Sequence, residues 1–331
     1  MRVVFFTPYY KQNRGNSTTA KRLEHGLSEK VEFSLFPYEE IGVNPTLFEW
    51  MEKADIYHIL HFSRFVQWAE KNDVTLDKPY IVTSGGTDLN HSLEEDEKRY
   101  LPLLREAKAI TVFTQKAKQL LVEDYGLSDH SIHVIPQSIY LPSIENKNEA
   151  FTLPDGKPKL LLPAGIRPVK DVLFALRSMI KLSSDYPDLT FLIVGPNLDS
   201  EEFKKMKEAE NKYDWLYYLP EVELGQMKKL YEWGDVVLNT SISEGQSTAL
   251  LEAMSLKKPV IARENVGNSS IIQHGNNGLL FQSHEELYQS IKIVISDQEF
   301  YKQLSDRGFQ TIEEKHTIKK EIASYMELYK N

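Results

Sequence analysis

Glu244 and Glu252 are two carboxylates eight positions apart, with Gly245-Gln246-Ser247 directly after the first. A strand-like run from Asp235 to Asn239 leads into small polar residues, and a helix is expected to open at Gln246-Ser247 with Glu252 on its second turn. Gly245 lets the chain turn tightly, so the first amide groups of that helix point beyond the strand end. Such an end favours an anion or a ring of hydroxyls. The carboxylates are at most about 12 Å apart along a helical path. They only accept hydrogen bonds, so they suit hydroxyl donors and repel phosphates. A polyol held at two places fits this pattern. Spacing alone favours the plainer reading, an amphipathic helix with a solvated Glu at each end.

A second constellation carries the opposite charge. Arg167 and Lys170 follow the apolar run Leu160–Leu162 through the Ala164-Gly165 turn. Two cations three residues apart at a helix start suit a diphosphate, Arg as a fork of donors and Lys as a point charge. Each such bond is worth about 1.5–3 kcal/mol. Their task would be to stabilise the charge growing on a leaving nucleoside diphosphate. Asp171 is adjacent, so a simple surface ion pair is the competing reading.

Three further loops could line a site. Gly15-Asn16-Ser17, between the first strand and helix, offers a turn, a cap and free amides. It lacks the G-x-G-x-x-G spacing and the Gly-Lys-Ser/Thr of a P-loop, and a plain surface loop also fits. Ser84-Gly85-Gly86-Thr87-Asp88-Leu89 follows another strand, and Asp88 there could cap a helix, accept a sugar hydroxyl, or both. His61 ends the run Asp55–His61, with Arg64 one turn further. Its place at a strand's carboxyl end favours a site role, whereas His58, inside the strand, reads as a packed core histidine.

The elements that must position these residues are read from apolar runs. They are Val3–Phe6, Val31–Phe36, Ile56–Leu60, Tyr80–Val82, Ala109–Phe113 and Ile132–Ile135, then Leu160–Leu162, Thr190–Val194, Trp215–Leu219, Val236–Leu238, Pro259–Ala262 and Gly278–Phe281. Runs without alternation fit parallel strands buried on both faces. Helical patterns such as Thr18–Lys30, Val169–Tyr186 and Glu223–Trp233 lie between them. The expectation is an α/β protein of two doubly wound, Rossmann-like domains, 1–150 and 151–311, with a last helix from about Ile312 to Tyr329. The polar stretch Leu141–Gly156, bounded by prolines and a glycine, reads as the linker. Ser283 should cap the helix that follows it.

Composition narrows the function classes. The chain has 331 residues, 41% hydrophobic and 26% charged, with a net charge of −9 and no cysteine. That size suits two domains with separate cores. The acidic balance argues against a nucleic-acid partner and against a strong electrostatic grip on anionic lipid, while a weak peripheral membrane contact stays compatible. Lys204, Lys205 and Lys207 stand among Glu201, Glu202 and Glu208, which reads as a solvated helix face. Without cysteine there is no disulfide, thiol nucleophile or thiolate metal site. No Asp-x-Asp follows a strand, the histidines show no H-E-x-x-H, and there is no G-x-S-x-G, so a metal site and serine-hydrolase chemistry are not expected. The N-terminus reads as a first strand, no window approaches a membrane helix, and a cytoplasmic location is expected.

Glu244, seven residues, Glu252-Ala253-Met254 and then Pro259-Val260-Ile261-Ala262 resemble the signature of the family four, or group 1, glycosyltransferases. Gly165-Ile166-Arg167-Pro168-Val169-Lys170-Asp171 sits where that family keeps its phosphate-binding Arg and Lys. The resemblance implies the GT-B architecture, two Rossmann-like domains facing a central cleft, with the last helix returning to the first domain. It implies Glu252 at the ribose hydroxyls, and Glu244 with Gly245, Gln246, Ser247 and Thr248 at the donor sugar. It also brings the Gly15-Asn16 loop to the donor phosphates and the acceptor. A front-face, retaining reaction is implied, the leaving phosphate helping to take the acceptor's proton. The donor is then a nucleotide sugar, expected to be UDP-linked, serving as co-substrate with no other cofactor. Many members read His-Gly-Thr-Asp where this chain has Gly85-Gly86-Thr87-Asp88, and His61 could compensate for that histidine. Together with Arg64, Gly86, Thr87 and Asp88, His61 would line the acceptor side; the acceptor itself is not specified. With Gly267-Asn268, these motifs are similar to a narrower subgroup, the glycosyltransferase-domain-containing proteins, and more weakly to selenosugar synthases. A nucleotide-sugar-binding protein with little transferase activity, or a sugar-nucleotide epimerase of the same fold, are the alternatives.

Overall fold

Apolar runs in the first part of the chain become β1 (Arg2–Thr7), β2 (Glu32–Pro37), β3 (Ile56–Leu60), β4 (Tyr80–Thr83), β5 (Ala109–Val112) and β6 (Ile132–Val134). Those in the second part become β7 (Lys159–Pro163), β8 (Thr190–Val194), β9 (Leu216–Leu219), β10 (Val236–Asn239), β11 (Val260–Arg263) and β12 (Leu279–Phe281). The computed structural model describes residues 1–12, 15–84, 86, 88–142 and 151–330. It divides into one unit of Met1–Ser138 with His316–Asn331 and another of Ile139–Lys315. Of the expected linker, residues 143–150 lie outside the described residues.

Each unit holds one six-stranded sheet, all pairs parallel. The first has the order β2-β1-β3-β4-β5-β6 and the second β12-β11-β10-β7-β8-β9. Both orders reverse direction once, between β1 and β3 and between β7 and β10. Ligands of doubly wound sheets sit beyond the strand ends at such reversals. The strands are buried on both faces: Val4 and Phe6 of β1 point into one apolar cluster, Val3 and Phe5 into another. Successive side chains alternate across a sheet, so covering both faces requires an unbroken apolar run.

Two helical expectations change. The pattern Val169–Tyr186 is not one helix: tight turns at Pro168–Lys170 and Val172–Ala175 precede a helix over Leu176–Asp185. Asp171 breaks it in the left-handed region, at φ 42°, so Arg167 and Lys170 flank a single turn and not a helix start. The last helix is likewise two, Gln298–Lys315 and Ile318–Lys330. The break falls at His316-Thr317, where His316 Nδ1 reaches the Gln137 carbonyl at 2.7 Å.

Ile318–Lys330 belongs to the first unit and packs on the helix Gly15–Leu27, which starts earlier than expected. Gly26 permits that approach, since a methyl there would lie 2.3 Å from Ile322 Cγ1. Beside it runs a buried ion pair. Arg22 donates to Glu321 at 2.9 and 3.1 Å and to Gln137 Oε1 at 3.0 Å, and the Ser138 hydroxyl donates to Glu321 at 2.5 Å. His58 is a core residue, as its place in the strand predicts. It bonds to Tyr329 Oη at 2.6 Å and Thr83 Oγ1 at 2.7 Å, and burial lowers its pKa to about 3. In the second unit, Ser283 caps the helix His284–Ser296, and Lys205 and Lys207 pair with glutamates on the helix Ser200–Lys212.

Candidate active site

The reversal between β7 and β10 brings Lys170 and Glu244 together. They are 74 residues apart in sequence, yet adjacent strands end beside each other, and Lys170 Nζ lies 2.5 Å from Glu244 Oε1. The same oxygen accepts from Ser241 Oγ at 2.7 Å and Asn239 Nδ2 at 3.2 Å. Burial works against ionising Glu244, but the Lys170 ammonium and these donors outweigh it, holding the carboxyl below its usual range. The Thr240 hydroxyl donates to the Lys170 carbonyl at 2.8 Å, locking the two loops.

Asp171 does not pair with Arg167 or Lys170. Its carboxylate takes Arg263 Nη1 from the end of β11 at 2.8 Å, and that guanidinium lies over the Phe174 ring at 4.5 Å. Arg167 sits in extended backbone immediately before the turn Pro168–Lys170. With Asp171 engaged by Arg263, the ion pair that Lys170 makes among the described residues is with Glu244.

The helix with Glu252 begins at Thr248, two residues later than expected, with Ser247 as its cap residue and Gly245-Gln246 in the preceding loop. Glu252 is on its second turn and only 5% exposed. Tyr231 donates to Glu252 Oε2 at 2.6 Å; burial first, then the neighbouring carboxylate, keeps that hydroxyl protonated far above its ordinary pKa. Gln246 Nε2 reaches Ser270 Oγ at 3.3 Å. Asn239, Tyr231 and Arg263 were not singled out from sequence. Asn239 and Arg263 have a signal in hindsight, a polar residue closing an apolar strand run.

In the first unit, the reversal between β1 and β3 gathers a second group. His61 follows β3 at φ 71°, a left-handed conformation that is uncommon for a non-glycine residue. Its Nδ1 lies 3.8 Å from Asp88 Oδ2 and 3.4 Å from Ser63 Oγ. Burial lowers the His61 pKa, with Asp88 pulling the other way. Asp88 is fully buried, and its Oδ1 accepts from Ser84 Oγ, Gly86 N and Leu89 N at 3.0 to 3.1 Å. Gly86 meets this at φ 108°. Gly85 and Thr87 lie outside the described residues. Arg64 donates to Tyr9 Oη at 3.0 Å and lies over the Tyr9 ring.

Ahead of Gly15-Asn16-Ser17, the loop after β1 holds an anion of the protein's own. The amides of Tyr10, Lys11 and Gln12 converge on the Glu40 carboxylate at 3.0 to 3.2 Å. Burial opposes ionisation there and the three amides prevail, lowering its pKa. Gly15 and Asn16 form the start of the helix, where the Ser17 hydroxyl is buried without a hydrogen-bond partner among the described residues.

No helix among the described residues is long and apolar enough to cross a membrane, and they contain no cluster of three metal-ligating side chains. The family model for glycosyl transferases group 1 matches residues 143–311. The glycosyltransferase 1 domain-containing protein 1 of Xenopus tropicalis is 28% identical, over 99% of this chain and 97% of that protein. Among solved structures, the Anabaena protein HepE in complex with UDP and glucose superimposes with a TM-score of 0.77 at 15% identity, covering 99% of this chain and 98% of that one. A Rickettsia africae glycosyltransferase does so with a TM-score of 0.75 at 18% identity, over 99% and 97%. The two parallel sheets are those of the GT-B fold. Since the family match takes in more than half of the residues, the chain belongs to the group 1 glycosyl transferases and is a glycosyltransferase.

Proposed function

We propose that the chain moves a hexose-type residue from a UDP-linked sugar to an acceptor, with retention and without a metal ion. The observation that carries this is the meeting of Lys170 and Glu244, at 2.5 Å, at the β7–β10 reversal. A cation and a carboxylate placed side by side match a substrate with a diphosphate next to a ring of hydroxyls. Arg167 and Lys170 take the diphosphate, Glu244 and the loop Gly245–Thr248 the sugar, and Glu252 the ribose. HepE, similar over nearly its whole length, binds UDP and glucose, which supports the choice of UDP.

In the reaction the bond from the anomeric carbon to the diphosphate oxygen breaks while the acceptor's bond forms on the same face. The acceptor's proton passes to the departing phosphate, and the negative charge left there is stabilised by Arg167 and Lys170. Two side-chain cations take the part that a divalent ion plays elsewhere, so turnover should survive chelation. His61, Arg64, Gly86, Thr87 and Asp88 serve the acceptor, and Gly15 and Asn16 the donor phosphates.

Replacing Arg167 with Ala should lower turnover of the UDP-sugar by about 100-fold or more, as expected for a lost transition-state contact, with thermal unfolding unchanged. Wild-type turnover in that variant would remove the phosphate assignment. Binding of UDP-sugars with no nucleotide released over a broad acceptor screen would favour a binding protein.

A further inference from the structure

Asn239 closes β10 and is 5% exposed. Its amide uses all four hydrogen-bonding positions. Nδ2 donates to Glu244 Oε1 at 3.2 Å and to Ser247 Oγ at 3.1 Å, while Oδ1 accepts from Ser241 N at 3.0 Å and Asn268 Nδ2 at 3.1 Å. An amide can donate twice and accept twice from one planar group. One side chain therefore ties the strand end, the turn after it, Glu244 and the start of the Glu252 helix.

Asn268 braces it from the next strand's loop. It is fully buried, its Nδ2 also donates to the Arg263 carbonyl at 2.8 Å, and its own amide is held by Asn265 Oδ1 at 2.9 Å. Its Oδ1 is buried with no hydrogen-bond partner among the described residues. A cost of that kind persists where the geometry it enforces is needed.

The donors on Glu244 fall unevenly. Lys170, Ser241 and Asn239 all reach Oε1, and no hydrogen bond from the described residues reaches Oε2. The side chain keeps 12% of its surface exposed.

We propose that Asn239, braced by Asn268, is a positioning residue that divides the Glu244 carboxylate. Oε1 is committed to the protein, and Oε2 is left to accept a hydroxyl of the donor sugar. This rests on the reading of Glu244 as the sugar-facing residue. The charged group that reaches Glu244 is Lys170; the next pair, Arg263 with Asp171, lies beyond Thr240, whose carbonyl Arg263 approaches at 3.5 Å. Protonation of Glu244 would turn Oε2 from an acceptor into a donor, so sugar recognition should fail in acid.

Calorimetric titration of the full chain with UDP-glucose and with UDP tests this. The wild type should bind UDP-glucose more tightly than UDP, and the gain should vanish as pH falls. Asn239→Ala should weaken UDP-glucose about 10- to 100-fold, the worth of a bond to a charged group, and leave UDP within about two-fold. Asn239→Asp keeps the shape and sets a second carboxylate beside Oε1, so the acid loss should begin at least about one pH unit higher. In Glu244→Gln the gain and its pH dependence should both be absent, and adding Asn239→Asp should change neither. Equal weakening of UDP and UDP-glucose in Asn239→Ala, or an unmoved acid limb in Asn239→Asp, overturns the positioning role while leaving Glu244 at the sugar. If Asn239→Ala does not fold, the Asn239→Asp profile decides. A wild type that gains nothing from the glucose, or an intact gain in Glu244→Gln, removes the sugar reading of Glu244 and this inference with it.

Discussion

Gly267 stands directly against Glu244. A methyl group on Gly267 would lie 2.5 Å from the Glu244 carbonyl oxygen and 2.7 Å from its Cβ. These atoms are backbone and the root of a side chain, so they cannot swing aside. The short helix Val266–Ser269 therefore acts as a stop that sets how far the Glu244 loop reaches.

Gly267→Ala should cost about 1–3 kcal/mol, the range for overpacking a filled site. Because the strain falls on the Glu244 backbone, turnover should drop more than stability suggests. Denaturant unfolding and turnover measured on the same preparation check this. Normal turnover alongside lowered stability would show that the Glu244 position is not critical.

The pair Arg22–Glu321 should behave as a buried ion pair in the first unit. Glu321→Gln leaves the guanidinium uncompensated and should cost about 3–5 kcal/mol. Replacing both residues with Met should recover much of that loss, since the desolvation of two charges disappears with them. Thermal unfolding of the three variants is the measurement. A double variant as unstable as the single one would mean that the hydrogen bonds to Gln137 and Ser138 dominate.

Acid should destabilise the protein in two steps. Burial depresses the His58 pKa to about 3, so the folded state stays unprotonated while the unfolded chain takes a proton below about 6.5. Stability present above pH 6.5 is lost as pH falls from there towards 3, by about 1.4 kcal/mol per unit. Glu244, with a lowered folded pKa, adds its loss only below the ordinary Glu value, as pH falls through the folded one. Burial lowers the His61 and His133 pKa values as well, so His58→Gln should reduce the first step without abolishing it, and keep the second. An unchanged slope between pH 6.5 and 5 in that variant would exclude His58 as its source.

Turnover in Arg167→Ala, with folding intact, is the kinetic counterpart of these structural tests. It separates a diphosphate contact, which should cost about 100-fold or more, from a surface residue, which should cost nothing.

The strands were legible because parallel sheets covered on both faces demand unbroken apolar runs, and every such run named became a strand. The two helix breaks were not. Val169–Tyr186 keeps helical spacing through Asp171, yet Asp171 takes a left-handed conformation and bonds to Arg263, 92 residues away. His316 sits inside an amphipathic pattern and turns inward to a carbonyl 179 residues earlier. Arg167, Lys170, Glu244 and Glu252 stand out by charge, but their spacing suits solvated charges as well; the resemblance to the group 1 family is what favours a site. That Lys170 and Glu244 touch depends on the non-sequential pairing of β7 with β10, which no local spacing encodes. Asn239 was passed over for a related reason: an Asn at a strand end looks like a turn former until its four partners are known.

The most direct measurement is a crystal structure of the chain with UDP bound. The account predicts density for the diphosphate within hydrogen-bond distance of Arg167 and Lys170, with Lys170 drawn away from Glu244. Density for UDP elsewhere, with the Lys170–Glu244 pair undisturbed, would contradict it.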